Sequence, residues 1–312
     1  MKLQRMLGHL PGLIHPNPRS VLVVGFGGGV TAGTFTTYPG VQRIVICELE
    51  PLIPPVSTRY FAKENYGVMN DKRTQLVYDD ARHFVAATPE KFDIITSDPI
   101  HPFVKGSATL YSKEYFEMVK SHLNPGGVVT QWVPLYESDD TTVKSEIATF
   151  FEVFPYGTVW ANNVNGQGYD IVLVGQLEPP IFDLDALQAR LDRPDYARVK
   201  TSLKDVNMES AIDLFATYAG NSADLRPWLR NAAINHDSDL RLQYLAGLAL
   251  NHSEEDKIYR AIMQYWAPPV GIFTGSPQWM DALFSAMVRD PKGPQSGPVQ
   301  SIAPNPAKTV PD

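Results

Sequence analysis

SVLVVGFGGGVTAG (residues 20–33) decides how this chain reads. A short Val-rich run, long enough for one buried strand, breaks directly into glycines and reopens as a helix. Gly25, Gly27 and Gly29 sit in the turn. Glycine lets the backbone turn sharply and lets a ligand approach with no Cβ in the way. The dinucleotide fingerprint is G-x-G-x-x-G, but the sixth position here is Val30, which leaves G-x-G-x-G. That spacing suits a nucleoside held by close backbone contact without a pyrophosphate, and it argues against an NAD-dependent dehydrogenase. A plain strand–helix turn is the blander reading, yet three glycines cost entropy that a plain turn need not bear.

Working outward, four more strand-length runs follow: RIVICELE (43–50), TQLVYDD (74–80), FDIITSD (92–98) and GGVVTQWVP (126–134). Helices are predicted between them at 51–64, 80–87, 112–122 and 139–153. Such alternation implies a parallel sheet covered on both faces. TVWANN (158–163) and YDIVLVG (169–175), joined by VNGQG, read as an antiparallel hairpin closing that sheet. Beyond PPIFD (179–183) only helical periodicity is visible to about residue 288. From Asp290 the composition turns to Pro, Gly, Ser and Gln, which predicts disorder. The expected division is a domain over 1–178, a helical domain over 179–289 and a disordered tail over 290–312.

The 312 residues carry 27 Lys+Arg against 34 Asp+Glu, a net charge of −7, without a basic block. That disfavours nucleic acid as a partner, because neutralising phosphates needs clustered cations. No apolar run is long enough to span a bilayer, and the first residues lack the core and cleavage site of a signal peptide. The single cysteine, Cys47, excludes an intramolecular disulfide and Cys-based zinc sites. A cytoplasmic setting is expected.

Acidic residues stand at successive strand ends. Glu48 lies 23 positions past Gly25, where a carboxylate accepts from ribose hydroxyls. Asp80 is placed to take an adenine amine, or to cap the next helix, and the two roles are compatible. Asp98, in TSDPIHP, sits where ligands bind in open α/β sheets and suits a general base or a cation-binding group. His101 is a further polar candidate. In the helical part, Asn235, His236 and Asp237 form a cluster read as a helix cap in preference to a site contact. Trp228, Tyr244, Tyr259, Tyr265 and Trp266 read as core or docking residues.

VLVVGFGGGVTAG, ICELE, VYDDAR, FDIITSDP and LYSKEYFEMVKSHLNPGGVV together resemble the spermidine synthase (polyamine aminopropyltransferase) family, over about residues 3–175. SDPIHP, GSATLYSKEYF, QWVPLYE and NHDSDLRLQYLAG are similar to a bacterial subgroup fused to a membrane transporter-like region. The resemblance implies an α/β Rossmann-like methyltransferase fold: a mostly parallel seven-stranded sheet with an antiparallel final strand, plus a C-terminal helical extension. It implies a transferase of polyamine biosynthesis, taking an aminopropyl group from decarboxylated S-adenosylmethionine to a putrescine-type amine acceptor and releasing methylthioadenosine, without a metal. Gly25, Gly27, Gly29, Glu48, Asp80 and Ala81 would bind the donor, and Asp98 would be catalytic. His101, Tyr111 and Gln131 would line the acceptor pocket. A homodimer is implied too, and any membrane association would come through a separate or missing segment.

The departures fall on the acceptor side. The family's acid in the glycine loop, which contacts the aminopropyl nitrogen, corresponds to Gly28. Its second aspartate corresponds to His101, and its Tyr-His-Glu segment to Leu3-Gln4-Arg5. Gly25 comes 24 residues after Met1, so the family's N-terminal β-domain is expected to be absent from this sequence. These departures keep two alternatives open. One is a methyltransferase using intact S-adenosylmethionine, with Arg5 or Gln4 meeting the donor's methionine end. The other is a degenerate nucleoside-binding scaffold.

Overall fold

The computed structural model describes residues 1–164 and 167–289. The tail from Asp290, and Asn165 and Gly166 of the expected hairpin turn, lie outside the described residues. Val21 and Val23 of β1 (Ser20–Val24) face one side of a sheet, and Leu22 and Val24 face the other. β2 (Arg43–Glu48) repeats the pattern, with Ile44 and Ile46 against Val45 and Cys47. Period-two side chains that are apolar on both faces require cover on both, which the intervening helices supply. β3 (Thr74–Tyr78), β4 (Phe92–Ser97) and β5 (Leu123–Pro134) extend the parallel sheet. β6 (Thr158–Val164) and β7 (Gln167–Gln176) form the expected hairpin, with β7 inserted antiparallel between β5 and β6.

The sheet has eight strands, not the seven expected. Its order is β3-β2-β1-β4-β5-β7-β6-β9, where β8 is Phe182–Asp183 and β9 is Tyr218–Asn221. β9 pairs antiparallel with β6. It escaped the sequence reading because its first two residues end a stretch with helical spacing (MESAIDLFATYA), and a four-residue strand has no alternation to show. β8 and β10 (Phe273–Thr274) form a second small parallel pair, so residues 179–288 are not wholly helical.

Among the described residues, six α-helices serve the first part of the chain: α1 (Lys2–Ile14), α2 (Val30–Phe35), α3 (Ile53–Tyr60), α4 (Ala81–Ala87), α5 (Lys113–Ser121) and α6 (Asp140–Val153). Seven follow: α7 (Leu184–Leu191), α8 (Ala197–Lys204), α9 (Ala211–Phe215), α10 (Ser222–Leu225), α11 (Arg241–Ala249), α12 (Glu255–Met263) and α13 (Pro277–Arg289). Described residues of the later helices join cores shared with the first part of the chain. Leu187, Leu191, Val199 and Leu203 join the cluster that holds Leu3, Met6 and Leu10 of α1 and Val21 of β1. Ile258 and Ile262 of α12 join the cluster on the opposite face of the sheet. Trp160 of β6 packs edge-on against Phe215 and Tyr218, with ring centroids 5.5 and 5.6 Å away. The extension is therefore bonded into the sheet through β9 and packed on both of its faces. Among the described residues no helix is long and apolar enough to cross a membrane.

Candidate active site

The carboxyl ends of β1 to β5 meet on one edge of the sheet, where open α/β folds place ligands. Gly25, Gly27 and Gly29 have φ of 82°, 51° and 75°, a region costly for any residue with a Cβ. The Gly25 amide donates to the Cys47 carbonyl at 2.8 Å, which holds the turn against β2. Gly29 is further constrained, since a Cβ there would lie 2.6 Å from the Phe26 ring. Gly28 is different: a Cβ would meet nothing closer than Val30 Cγ2 at 3.8 Å.

Glu48 ends β2 and is buried, with 8% of its surface exposed. Its Oε2 accepts from the Phe26 amide at 2.7 Å and its Oε1 from the Glu50 amide at 2.8 Å. A carboxylate has about four acceptor directions, so two remain for vicinal hydroxyls. Asp80 caps α4, its Oδ1 accepting from the Arg82 and His83 amides at 2.8 and 3.1 Å. The capping role is thus realised, and Ala81 follows it, buried at the helix start. Together these residues make a backbone-lined shelf with acids at two corners.

Asp98 leaves the end of β4 and enters the loop leading to the 3₁₀ turn Ser107–Tyr111. Burial pushes its carboxyl up to about 6, against the Met1 amino group and a hydrogen bond from Gln4 that act in the other direction. Gln4 therefore folds over the site. Arg5 does not: its guanidinium bonds Thr34 Oγ1 at 2.9 Å and the Glu64 carbonyl at 2.6 Å, tying α1 to α2, and it is 1% exposed. That removes Arg5 as a partner for a donor's methionine end.

His101, Tyr111 and Gln131 do gather near Asp98, through the loop and the Ser97↔Gln131 register of β4 and β5. Tyr111 is buried, and burial holds its hydroxyl well above the ordinary phenol range, Glu146 and Asp98 adding to this and the Gln131 amide opposing it. His101 stacks on Phe103 at 4.9 Å and meets Trp132 and Tyr136 edge-on at 5.0 and 5.1 Å. Burial lowers its imidazole, with Glu137 pulling the other way. His101 is thus the centre of an aromatic box, where the family resemblance implies an acid.

Two acids were not anticipated. Asp170 of β7 is 2% exposed, and its carboxyl is pushed up to about 7 by burial, with Asp98 adding to the shift and Asn162 and Trp132 opposing it. Glu146 of α6 is 1% exposed, with neither oxygen bonded, and burial raises it well above the usual carboxylate range. One signal existed for Asp170: it is the lone charge in the apolar strand YDIVLVG. Glu146 carried none, because a Glu at helical spacing reads as solvated surface.

The Asn235 cluster is both a cap and a strap. Asn235 Oδ1 accepts from the Leu242 amide at the start of α11, while its Nδ2 donates to the Ala108 carbonyl at 2.8 Å. Its own carbonyl accepts from Lys113, and Asp237 pairs with Arg82, two residues past Asp80. The extension thus grips the loop that carries Tyr111 and the helix that Asp80 caps. A separate recess lined by Pro16, Asn17, Pro39, Gly40, Arg193 and Asp195 lies at the amino ends of the strands, away from these groups. Among the described residues no three His, Cys, Asp or Glu side chains are grouped to hold a metal ion.

The spermine/spermidine synthase domain model matches residues 1–177, more than half of the chain. The chain belongs to the spermine/spermidine synthase family. Polyamine aminopropyltransferases of Aeropyrum pernix and Nitrosomonas europaea are 34% and 32% identical to it over 157 and 165 residues. These matches cover 48% and 49% of this chain and 50% of each relative, so it spans about half the length of the curated relatives it matches. Two solved structures share the fold. A spermidine synthase in complex with the transition-state analogue AdoDATO has a TM-score of 0.51 at 21% identity, covering 62% of this chain and 64% of that one. A probable spermidine synthase from Corynebacterium glutamicum has a TM-score of 0.51 at 20% identity, over 76% of this chain and 80% of that one. The Rossmann-like fold that the resemblance implied is present, with one strand more than expected.

Proposed function

We propose that this chain transfers an aminopropyl group from decarboxylated S-adenosylmethionine to a small amine, releasing methylthioadenosine. The observation that carries the reading is Asp98, a half-buried carboxyl one residue past β4, whose backbone oxygen would lie 3.8 Å from a Cβ on Gly25 and whose carboxyl is pushed by desolvation up to about 6, beside the loop that Glu48 braces. The names of the polyamine aminopropyltransferase relatives support it.

The chemistry follows from charge. An amine protonated at neutral pH has no lone pair, so it must first give a proton to a base. Asp98 takes that proton. The freed nitrogen pair then forms a bond to the methylene carbon beside the donor's sulfonium. The carbon–sulfur bond breaks with its electrons going to sulfur, which leaves as a neutral thioether. The donor's adenosine fits the shelf: Glu48 for the ribose hydroxyls, Asp80 for the adenine amine, Ala81 beside the ring. Tyr111 and Gln131 wall the acceptor side, and alignment of the reacting atoms supplies much of the rate. Methyl transfer from intact S-adenosylmethionine has less support, because Arg5 is committed elsewhere. A cytoplasmic setting and a homodimer belong to the same proposal.

Calorimetric titration with S-adenosylmethionine, its decarboxylated form and methylthioadenosine tests the reading. The decarboxylated donor should bind more tightly than the intact one. The reverse order would move the function to methyl transfer, and no binding of any of the three would leave a scaffold.

A further inference from the structure

The stretch 98–112, between β4 and α5, carries Asp98 at its start and Tyr111 near its end. Connections this long are uncommon and are usually functional. Its two halves are held by different parts of the chain. In the first half, His101 is fixed by Trp132 and Tyr136, ring to ring at 5.0 and 5.1 Å. The second half is tied to the extension. Asn235 Nδ2 donates to the Ala108 carbonyl at 2.8 Å, and Leu242 of α11 forms a small buried cluster with Ala108 and Tyr111. The turns in which Ser107 bonds Val104 and Thr109 bonds Gly106 are local, so they fix shape and not place.

Arg82 joins this second half to the donor side. Its Nη1 donates to the Thr109 carbonyl at 2.9 Å and to Ser112 Oγ, the cap of α5, at 3.0 Å. The same guanidinium forks onto both carboxylate oxygens of Asp237. A bidentate fork fixes a guanidinium in orientation as well as in place. The Arg82 backbone amide meanwhile bonds Asp80. Asp237 is itself anchored, since its amide donates to Glu114 at 3.0 Å. Asn235 is fully buried, and its amide donates to Thr149 Oγ1 of α6 at 2.9 Å. The family model ends at residue 177, so these side chains lie outside the matched domain and yet hold a wall of its site. Tyr111, on that wall, is within electrostatic reach of Asp98.

We propose that the extension is a positioning element of the active site: Asn235 and Asp237, the latter acting through Arg82, hold the second half of the 98–112 stretch so that Tyr111 stays beside Asp98. The role rests on the aminopropyl-transfer reading. Asn235 and Asp237 act through other residues and set where the wall stands. A displacement of about 1 Å in such a wall can cost on the order of a hundredfold in rate.

The test compares the full chain with Asp237→Asn, Arg82→Gln and the two changes combined. Hydrogen exchange, read peptide by peptide, reports the hold. In Asp237→Asn, amides 104–113 should exchange about tenfold faster, the scale of one hydrogen bond, while β1 to β7 stay protected. Calorimetry should give the same affinity and stoichiometry for methylthioadenosine, which shows that all of the protein is folded. Against that background kcat should fall by about tenfold or more, with KM for the decarboxylated donor unmoved. The combined variant should be no worse than Arg82→Gln alone, because the two residues act as one. Unchanged exchange in 104–113 would overturn the proposal. Faster exchange with an unchanged kcat would also overturn it and leave the extension a structural tie. Losses that add in the combined variant would remove the route through Arg82. Should Asp237→Asn not fold, Arg82→Lys, which keeps the charge and loses the fork, carries the same comparison. An unaltered protein without turnover of the decarboxylated donor would sink the transferase reading alone, and exchange in 104–113 would still decide whether the extension holds the loop.

Discussion

On the donor side, each acid is already bonded to backbone amides within a few residues of itself or of the glycine loop. Glu48 holds the Phe26 and Glu50 amides, and Asp80 holds those of Arg82 and His83. On the acceptor side, the groups come from α1, the β4 loop, β5, β6 and β7, and several of their polar atoms have no protein partner. Asp98 and Asp170 are both raised toward neutrality by burial. The first region is a structure that a ligand completes by adding hydrogen bonds. The second holds carboxyls whose charged form burial disfavours, which a proton or a nearby cation stabilises. Donor affinity should therefore survive damage to the acceptor side, while chemistry should not survive it.

The largest expected effect breaks the comparison at its active end. Asp98→Asn keeps shape and removes the base, so transfer should fall by roughly a hundred- to ten-thousandfold, the usual range for a general base. Methylthioadenosine affinity, read by calorimetry, should not move. Retained turnover would show that another group takes the proton. In the unaltered protein kcat/KM for the acceptor should rise with pH, because the base form of a carboxyl raised to about 6 accumulates only above that value. Asp170, at about 7, faces Asp98 and couples to it, so the rise should span both steps. Gln4, Tyr111, Tyr136 and the Met1 amino group also act on or feel Asp98 and shape the same limb. A profile flat from pH 5 to 8, on about the scale of these shifts, would remove Asp98 from the rate-determining proton transfer.

Glu48→Ala strikes the other half. On the proposed reading two charged hydrogen bonds to ribose go, and the Phe26 amide loses the acceptor that shapes the loop. Every adenosyl ligand should weaken by about a hundredfold or more, whichever donor is correct. Equal affinity in the variant would mean that the ribose sits elsewhere.

What was legible in the sequence follows the same divide. The proposed donor shelf lies in three short segments, each a strand end with its next turn, so local pattern alone was enough to nominate Glu48 and Asp80. The parallel sheet was legible for the same reason, from buried runs bounded by glycine, proline and aspartate. The acceptor side depends on register. Trp132 and Asp170 meet because β7 inserts antiparallel between β5 and β6, and no local pattern carries that pairing. The aromatic box around His101 needs the β5 end and the β4 loop to converge, which likewise is tertiary. β9 was hidden by its length, and α1 by Pro11 and two glycines inside a helix that only tertiary burial of Leu3, Met6, Leu7 and Leu10 holds together.

The smallest expected effect joins the two regions at Gly28. The resemblance implies an acid in this place, contacting the aminopropyl nitrogen, yet glycine stands here. Unlike its neighbours, Gly28 is not held in the left-handed region, and a Cβ built on it meets open space, with Val30 Cγ2 at 3.8 Å. Asp is therefore admissible without strain, which it would not be at Gly29, where the Phe26 ring lies 2.6 Å from the same atom. Gly28→Asp should leave the melting temperature and methylthioadenosine affinity nearly unchanged, because neither reads the aminopropyl end. It should tighten the decarboxylated donor by about tenfold, one charged hydrogen bond on a partly solvated site. Intact S-adenosylmethionine should not gain, since its carboxylate would face the new acid. If both donors tighten equally, the loop does not face the aminopropyl group, and the carboxylates that hold this end of the donor must be sought on the acceptor side, with Asp98 first.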